Sequence, residues 1–312
     1  MSNFEHLFKN KGALKSQEQR REELLLCLKK RRTDAIDEKR KITDLFEDDN
    51  SNNENDDQVE LQRNHKMWRN QHKPFYNRLM LSEWLKDIPY DLEQNWLVKL
   101  CPKGSRNLVV AAHNITTSYS RLGVEKCTFV SYLPGGGNNI SVNDKFTVLD
   151  CIYDNKQECY YVLDVLAWNS LSVKKCDADF RFFWLKSKFE ENDELQKKSP
   201  CNKYPFILID FFPAEVPLIE NIFSKPFSLQ GNEFAELDGI LFYHRKTHYI
   251  NGITPLVGWL KAYMLPEMLN IPVHDNYMCK KPENYISLAH YVECKKKIKV
   301  KNNRKKIESM ET

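Results

Sequence analysis

Apolar positions are unevenly spread along this chain, and their spacing separates a folded body from polar ends. From Ser16, a good helix N-cap, to Ile42 there is no Gly or Pro, and Glu, Gln, Arg, Lys, Leu and Ala dominate, which predicts one long helix. Leu24, Leu25, Leu28 and Ile36 give it only a thin apolar stripe, too narrow to bury against a domain core, so the helix is expected to form mainly on a partner. From Phe75 the pattern changes to short apolar runs. Leu79–Leu85 (LMLSEWL) predicts a short helix. Trp96–Cys101 predicts a strand, Lys103-Gly104-Ser105-Arg106 its turn, and Leu108–Ala112 the returning strand of a hairpin. Further strands are predicted at Phe146–Leu149, Tyr160–Leu166, Phe180–Leu185 and Phe206–Asp210. Two more follow: Ile240–Tyr243 after the turn signal Glu236-Leu237-Asp238-Gly239, and Leu256–Leu260 after Gly252 and Pro255. Strands separated by hairpin-length gaps favour an antiparallel α+β body over a parallel one. Past Ile271 the apolar signal fades.

With 312 residues, 41% hydrophobic and 12% aromatic, the chain has enough apolar material for a substantial core without covalent staples. The formal charge is only +4, but it is segregated. The first helix has a basic excess, every charge from Asp44 to Glu60 is negative, Arg63–Lys73 is basic again, and Cys294–Lys306 is a basic run. The organisation read from this is a helix over 1–43, an acidic then basic flexible linker over 44–73, a folded domain over 74–270, and a basic tail without fixed structure over 271–312. The nine cysteines form no C-x-x-C pair, which argues against a zinc ribbon or disulfide framework and places the chain in a reducing compartment. No window approaches the roughly 18 apolar residues of a membrane span, and no membrane partner is expected.

Candidate metal and phosphate motifs are weak, and no metal or cofactor is expected. His244 and His248 in HRKTH have the spacing of a zinc-protease helix, but Arg245 stands where the Glu base belongs and the surroundings are strand-like. Leu133-Pro134-Gly135-Gly136-Gly137 lacks the Lys-Ser/Thr end of a phosphate loop and reads as a flexible turn.

The order Phe8-Lys9-Asn10-Lys11-Gly12, Gln19-Arg20-Arg21-Glu22-Glu23, Leu28-Lys29-Lys30-Arg31-Arg32, Glu38-Lys39-Arg40-Lys41 resembles the importin-β-binding segment of importin-α adaptors. The resemblance implies that the basic positions Lys9, Lys11, Arg20, Arg21, Lys29, Lys30, Arg31, Arg32, Lys39, Arg40 and Lys41, with Phe8, meet the acidic concave face of importin-β. A solenoid offers an extended concave surface, and opposite charge gives specificity and speed of encounter.

The body resembles the snurportin family of trimethylguanosine-cap-binding import adaptors. The resemblance rests on LMLSEWL at 79–85, LPGGG at 133–137, LDCIY at 149–153, YYVLDV at 160–165, DFRFFWL at 179–185, DGILFYHRKTHY at 238–249 and TPLVGWL at 254–260. It implies that Trp259 stacks on the methylated guanine, that Trp84 sits near the exocyclic methyls, and that Ser82 makes a polar contact. It further implies that Cys101 and Arg106 line the pocket, with Arg106 toward the phosphates, and that Arg121 stands where the family has a cap-contacting lysine. Such a site is physically reasonable. Methylation at N7 makes the purine cationic, and a tryptophan face attracts a cation by roughly 0.5–2 kcal/mol. The implied partners are importin-β and trimethylguanosine-capped U snRNA in snRNPs, for a protein shuttling between cytoplasm and nucleus. Only MSNFEHL precedes the basic segment, a weak basis for the exportin contact of vertebrate members.

More distantly, the body is similar to the nucleotidyltransferase domain of mRNA capping enzymes and DNA ligases. The implied fold is two twisted, mainly antiparallel sheets, here preceded by a long basic helix. In the motif K-x-D-G-x-R of those enzymes the lysine attacks the α-phosphate. Here Cys101 holds the nucleophile position and Lys103 the acid position, while Gly104 and Arg106 match. Asp164 is what survives of the carboxylate motif, and Asp238-Gly239 is similar to the fourth motif. A binding pocket inherited from an enzyme is expected, the rival being an active guanylyltransferase or ligase.

Overall fold

A computed structural model describes residues 15–45, 75–137, 145–228, 236–295 and 297, with side chains of the first helix described through Asp34. The linker over 46–74, the basic run beyond Lys297, and Phe8, Lys9 and Lys11 lie outside the described residues, as do the side chains of Lys39, Arg40 and Lys41. The body is α+β, with two mainly antiparallel sheets packed face to face. The first sheet has the order β1-β12-β11-β2-β10, built from β1 (Met80–Trp84), β2 (Trp96–Pro102), β10 (Phe211–Pro213), β11 (Leu237–His244) and β12 (Gly252–Leu260). The second runs β5-β4-β3-β6-β7-β8, from β3 (Ser105–Ala112), β4 (Ile115–Ser120), β5 (Glu125–Phe129), β6 (Phe146–Asp154), β7 (Cys159–Trp168) and β8 (Leu171–Ser172). The short β9 (Phe206–Leu208) joins it beside β7, in parallel.

Alternation along the strands sorts the core into layers, because successive side chains point to opposite faces. In β2, Leu97 and Cys101 face the second sheet and pack with Leu108, Ile152 and Leu163. Trp96 and Val98 face outward, into a cluster shared with Phe223 of the helix Val216–Phe223 and Tyr277 of the helix Asp275–Met278. On the far side, Val109, Leu149 and Val162 pack in one cluster with Leu185 and Phe189 of the helix Ala178–Glu190.

Five local expectations are corrected here. The stretch 79–85 is not a helix but the edge strand β1, parallel to β12; pairing of Met80–Ser82 with Gly252–Thr254 overrides the helix preference of Leu, Met and Glu. The aromatic run 180–185 is not a strand. Its buried positions Ala178, Arg181, Phe182, Leu185 and Phe189 recur at helical spacing, which leaves Phe180 and Phe183 exposed. Strands β2 and β3 form no hairpin. β2 pairs with β10 and β11 while β3 pairs with β4 and β6, so Lys103-Gly104 is the step between sheets. Gly104 is needed at that step, since a Cβ there would lie 2.4 Å from the Tyr153 carbonyl oxygen.

The fourth correction concerns the C-terminal side. Tyr277, Tyr285, Leu288 and Val292 are buried in the outer cluster, so through 295 the stretch expected to lack fixed structure belongs to the body. The fifth concerns the first helix. α1 (Gln17–Leu45) does bury a face against the body, through Gln17, Arg21 and Leu28. Polar docking does the work for which its apolar stripe is too thin.

Candidate functional site

The site is built where β2 ends, β11 begins and β12 ends. Gly239 on β11 stands opposite Cys101 on β2, and Leu241 opposite Trp259 on β12. The Trp259 indole leans across the strand onto Gly239, where a Cβ would lie 2.3 Å from its Cζ2. The neighbouring Gly258 faces the outer side, where a Cβ would meet Leu85 Cδ1 at 2.6 Å. Beside Trp259 runs Lys261, whose Nζ lies 5.4 Å from the ring centre. That ammonium donates to the Asp238 carbonyl at 2.7 Å and to the Asp238 carboxylate. A register irregularity between Leu237 and Gly239 places Asp238 there. The half-buried indole thus carries an ammonium group at its ring.

Arg106 braces the cleft. Its Nε and Nη2 take both oxygens of buried Asp150, Nη2–Oδ2 being 2.7 Å, and Nη2 reaches the Met80 carbonyl at 3.4 Å. The Tyr249 hydroxyl donates to Asp150 at 2.6 Å and accepts from the Met80 amide at 3.0 Å. This chain of bonds ties β3 and β6 of one sheet to β1 of the other. Burial alone would lower the Arg106 pKa, but Asp150 more than offsets it and keeps the guanidinium charged. The residue expected to face phosphate therefore spends its fork on Asp150.

The other sequence-derived positions are distributed as follows. Cys101 and Trp259 meet in the inter-sheet cluster. Trp84, level with Trp259 in the strand register, packs against the outer cluster and edge-on to Tyr291, ring centres 5.4 Å apart. Ser82 is half-buried on β1 opposite Thr254, and Arg121 is exposed just past β4. The LPGGG turn is fastened by Gly136, whose amide donates to the Leu133 carbonyl and whose carbonyl accepts from the Ser131 amide.

Positions that would be catalytic in a nucleotidyltransferase are chemically occupied. Burial pushes the Cys101 thiol up to about 12, so it stays protonated at neutral pH and is a poor nucleophile. Asp164 gives both oxygens to Arg181, at 2.9 and 2.8 Å, and both side chains are fully buried. Sequence reasoning passed over Lys99, a fully buried lysine that burial lowers to about 8. Such an amine has the chemistry of a nucleophile, but its Nζ donates to the Leu163 carbonyl at 2.6 Å and lies 3.8 Å from the Phe182 ring centre, inside the core. The signal in the sequence was a lone Lys at an inward position of an apolar strand. Among the described residues no cluster of three or more His, Cys, Asp or Glu could hold a metal. His244 packs edge-on to Trp96 at 5.3 Å, and His248 lies 3.6 Å from Asp177. All nine cysteines are free.

The basic helix is seated on this same sheet. Arg20 pairs with both oxygens of Glu83, Nη2–Oε2 being 2.7 Å. Gln17 donates to the Trp84 carbonyl at 2.9 Å and to Glu83 at 3.2 Å, and accepts from the Lys86 amide. Arg21 donates to the Pro255 carbonyl at 3.2 Å and lies over the Trp96 ring, while Arg32 reaches Asp177 at 2.6 Å. Lys29, Lys30 and Arg31 are exposed.

Solved structures similar to this chain include the ligase domain of M. tuberculosis LigD, at 13% identity and TM-score 0.37, with 58% of each chain covered. A mycobacterial DNA ligase D is similar at 12% identity and TM-score 0.37, over 59% of this chain and 60% of that one. Lig E DNA ligases are similar at 12% identity and TM-score 0.35, over 58% of this chain and 67% of theirs. The profile described as the Snurportin1 m3G cap-binding domain matches residues 78–262, from the start of β1 past the end of β12. That span is more than half the chain and contains Trp259, Gly239, Cys101 and the Arg106–Asp150 brace, so the protein belongs to the snurportin family of m3G cap-binding domains.

Proposed function

We propose that this protein is a nuclear-import adaptor whose body binds the 2,2,7-trimethylguanosine cap of spliceosomal small nuclear RNAs and whose basic N-terminal helix binds importin-β. It shuttles between cytoplasm and nucleus and performs no catalysis. The observation that carries the reading is the Trp259 indole laid over Gly239 and already holding a cation, within a domain of the m3G cap-binding family. An N7-methylated guanine is a flat cation, which suits that ring, and methyls in place of exocyclic N–H donors suit an apolar wall. The competing enzymatic reading is disfavoured by the protonated Cys101, the buried Lys99 and the Arg181-bound Asp164.

Importin-β capture has a structural cost under this reading, because Arg20, Arg21 and Arg32 must leave Glu83, Pro255 and Asp177. Exposed Lys29, Lys30 and Arg31 remain available for a first encounter with an acidic surface. The test is equilibrium titration with trimethylated and monomethylated cap, together with importin-β binding by the full chain and by a chain lacking residues 1–42. Preference for the trimethylated cap, and loss of importin-β but not cap binding on truncation, are expected. Equal affinity for both caps, or importin-β binding by the truncated chain, would refute the respective half. A labelled lysine–nucleotide adduct that survives denaturation would restore the enzyme.

A further inference from the structure

Two blocks of the basic helix end the same way. Lys29-Lys30-Arg31-Arg32 runs directly into Thr33-Asp34, and Lys39-Arg40-Lys41 is followed by Ile42 and then Thr43-Asp44. Residues three and four apart are neighbours on a helix, so Thr33 shares a face with Lys29 and Lys30, and Thr43 has the same spacing to Lys39 and Arg40. The Thr33 side chain is exposed, and its hydroxyl donates back to the Lys29 carbonyl at 3.1 Å, within its own turn. Docking of this turn is light. Arg32 meets Asp177 at 2.6 Å, but both side chains are partly exposed, and such a pair is worth no more than about 1 kcal/mol. The buried seat of the helix lies on its N-terminal side, at Gln17, Arg21 and Leu28. The turn around Thr33 can therefore open while that seat stays closed.

We propose that Thr33 is a phosphorylation site for a kinase that selects hydroxyls preceded by basic residues, and that its phosphate weakens the importin-β arm without touching the cap site. The proposal rests on the importin-β reading above. In the reaction Thr33 Oγ1 attacks the γ-phosphorus of ATP; the new O–P bond forms as the bond to ADP breaks, and the hydroxyl proton passes to the kinase's base. The four cations directly before Thr33 supply what an acidic substrate groove would read. The product carries about −1.5 to −2 charge and three acceptor oxygens at neutral pH. Lys29 and Lys30, exposed one turn away, are then drawn into pairs with the phosphate on the helix surface. These are groups that otherwise offer the first encounter with an acidic partner, and about half the positive charge of their block is cancelled. Arg20, which pairs with Glu83 on the strand that carries Trp84, lies about three and a half turns away along the helix, out of reach of the phosphate.

The test compares the full chain, the same chain made with phosphothreonine at position 33, and Thr33→Val, which keeps the branched shape and lacks the hydroxyl. Titration with importin-β should show a loss of about tenfold or more for the phosphorylated chain, as when one charge-assisted hydrogen bond is withdrawn. Its affinity should also depend less on salt. Thr33→Val should match wild type, and trimethylguanosine cap should bind all three chains equally. Separately, wild type is incubated with ATP and a panel of basic-directed serine/threonine kinases, and the phosphate is mapped by mass spectrometry. It should fall on Thr33, and saturating importin-β should suppress it, because both reactions need the same helix turn. Failure of every kinase in the panel to modify Thr33 overturns the site. Equal importin-β affinity with and without the phosphate overturns the switch, and a parallel loss of cap affinity overturns its confinement to the import arm. An unmodified chain that does not bind importin-β refutes the import reading itself, an outcome distinct from the others because phosphate on Thr33 is mapped independently of it.

Discussion

The seat of the basic helix gives the sharpest quantitative expectation. Glu83 accepts from Arg20 through both oxygens and from Gln17, with the Arg20 and Glu83 side chains 29% and 20% exposed. Burial pushes the Glu83 carboxyl up, but Arg20 and Gln17 pull it further down, to a net position below the ordinary glutamate range. Replacing it with Gln keeps the shape and removes the charge. A buried charge-assisted pair is worth about 1.5–3 kcal/mol and an exposed one under about 1, so this half-sheltered pair should contribute about 1–2 kcal/mol to docking. That is roughly 5- to 30-fold in the docked-to-free ratio. Amide hydrogen exchange across residues 17–28 should accelerate in Glu83→Gln by up to that factor, and Arg20→Ala in the same background should add little. In the wild type, docking is retained above the unfolded glutamate pKa and lost as pH falls through the lower folded value, so protection of the helix should fade in acid. If importin-β takes this helix, Glu83→Gln should also bind it more tightly, by no more than the docking term. Unchanged exchange in Glu83→Gln, or full additivity with Arg20→Ala, would refute the argument that this pair seats the helix.

Four further outcomes rest on other parts of the structure. His244 is held neutral by burial, its pKa lowered to about 4 from 6.5, so the unfolded chain takes up a proton first as pH falls; stability should drop by about 2 kcal/mol more between pH 7.5 and 5 in wild type than in His244→Gln, read by urea unfolding. Asp164→Ala strands the buried Arg181 charge and should cost about 3–5 kcal/mol in the same assay; a change under about 1 kcal/mol would mean the pair is not buried as described. Trp259→Ala should weaken every N7-methylated cap by about 1–3 kcal/mol, and Gly239→Ala, whose Cβ collides with the indole, should act in the same direction. Trp84→Ala should weaken the trimethylated cap alone, and equal losses for both caps would reduce Trp84 to scaffold beside Tyr291.

Local chemistry decided a large part of this protein. Apolar runs such as Ile240–Tyr243 and Tyr160–Leu166 read correctly as strands because short, unbroken β-branched and aromatic runs are written in the residues themselves, and both strands are buried on both faces. The long helix was legible from its composition, and the family from motif order across 79–260. Tertiary structure alone decided which strands are neighbours. Nothing local distinguishes a hairpin from the crossing at Lys103-Gly104, because the choice depends on β10, β11, β4 and β6, all distant in sequence. The same cause turned LMLSEWL into an edge strand and DFRFFWL into a helix, since partners that are not sequence neighbours supplied the pairing and the burial. The fate of each charge was equally invisible. Arg106, Asp164, Lys99 and Arg20 are ordinary letters in the chain, and only the packing sets Asp150, Arg181, Leu163 and Glu83 against them. An ionic partner close in space and far along the chain leaves no periodic trace in sequence, yet in a low-dielectric interior it determines whether a charge is free to meet a ligand.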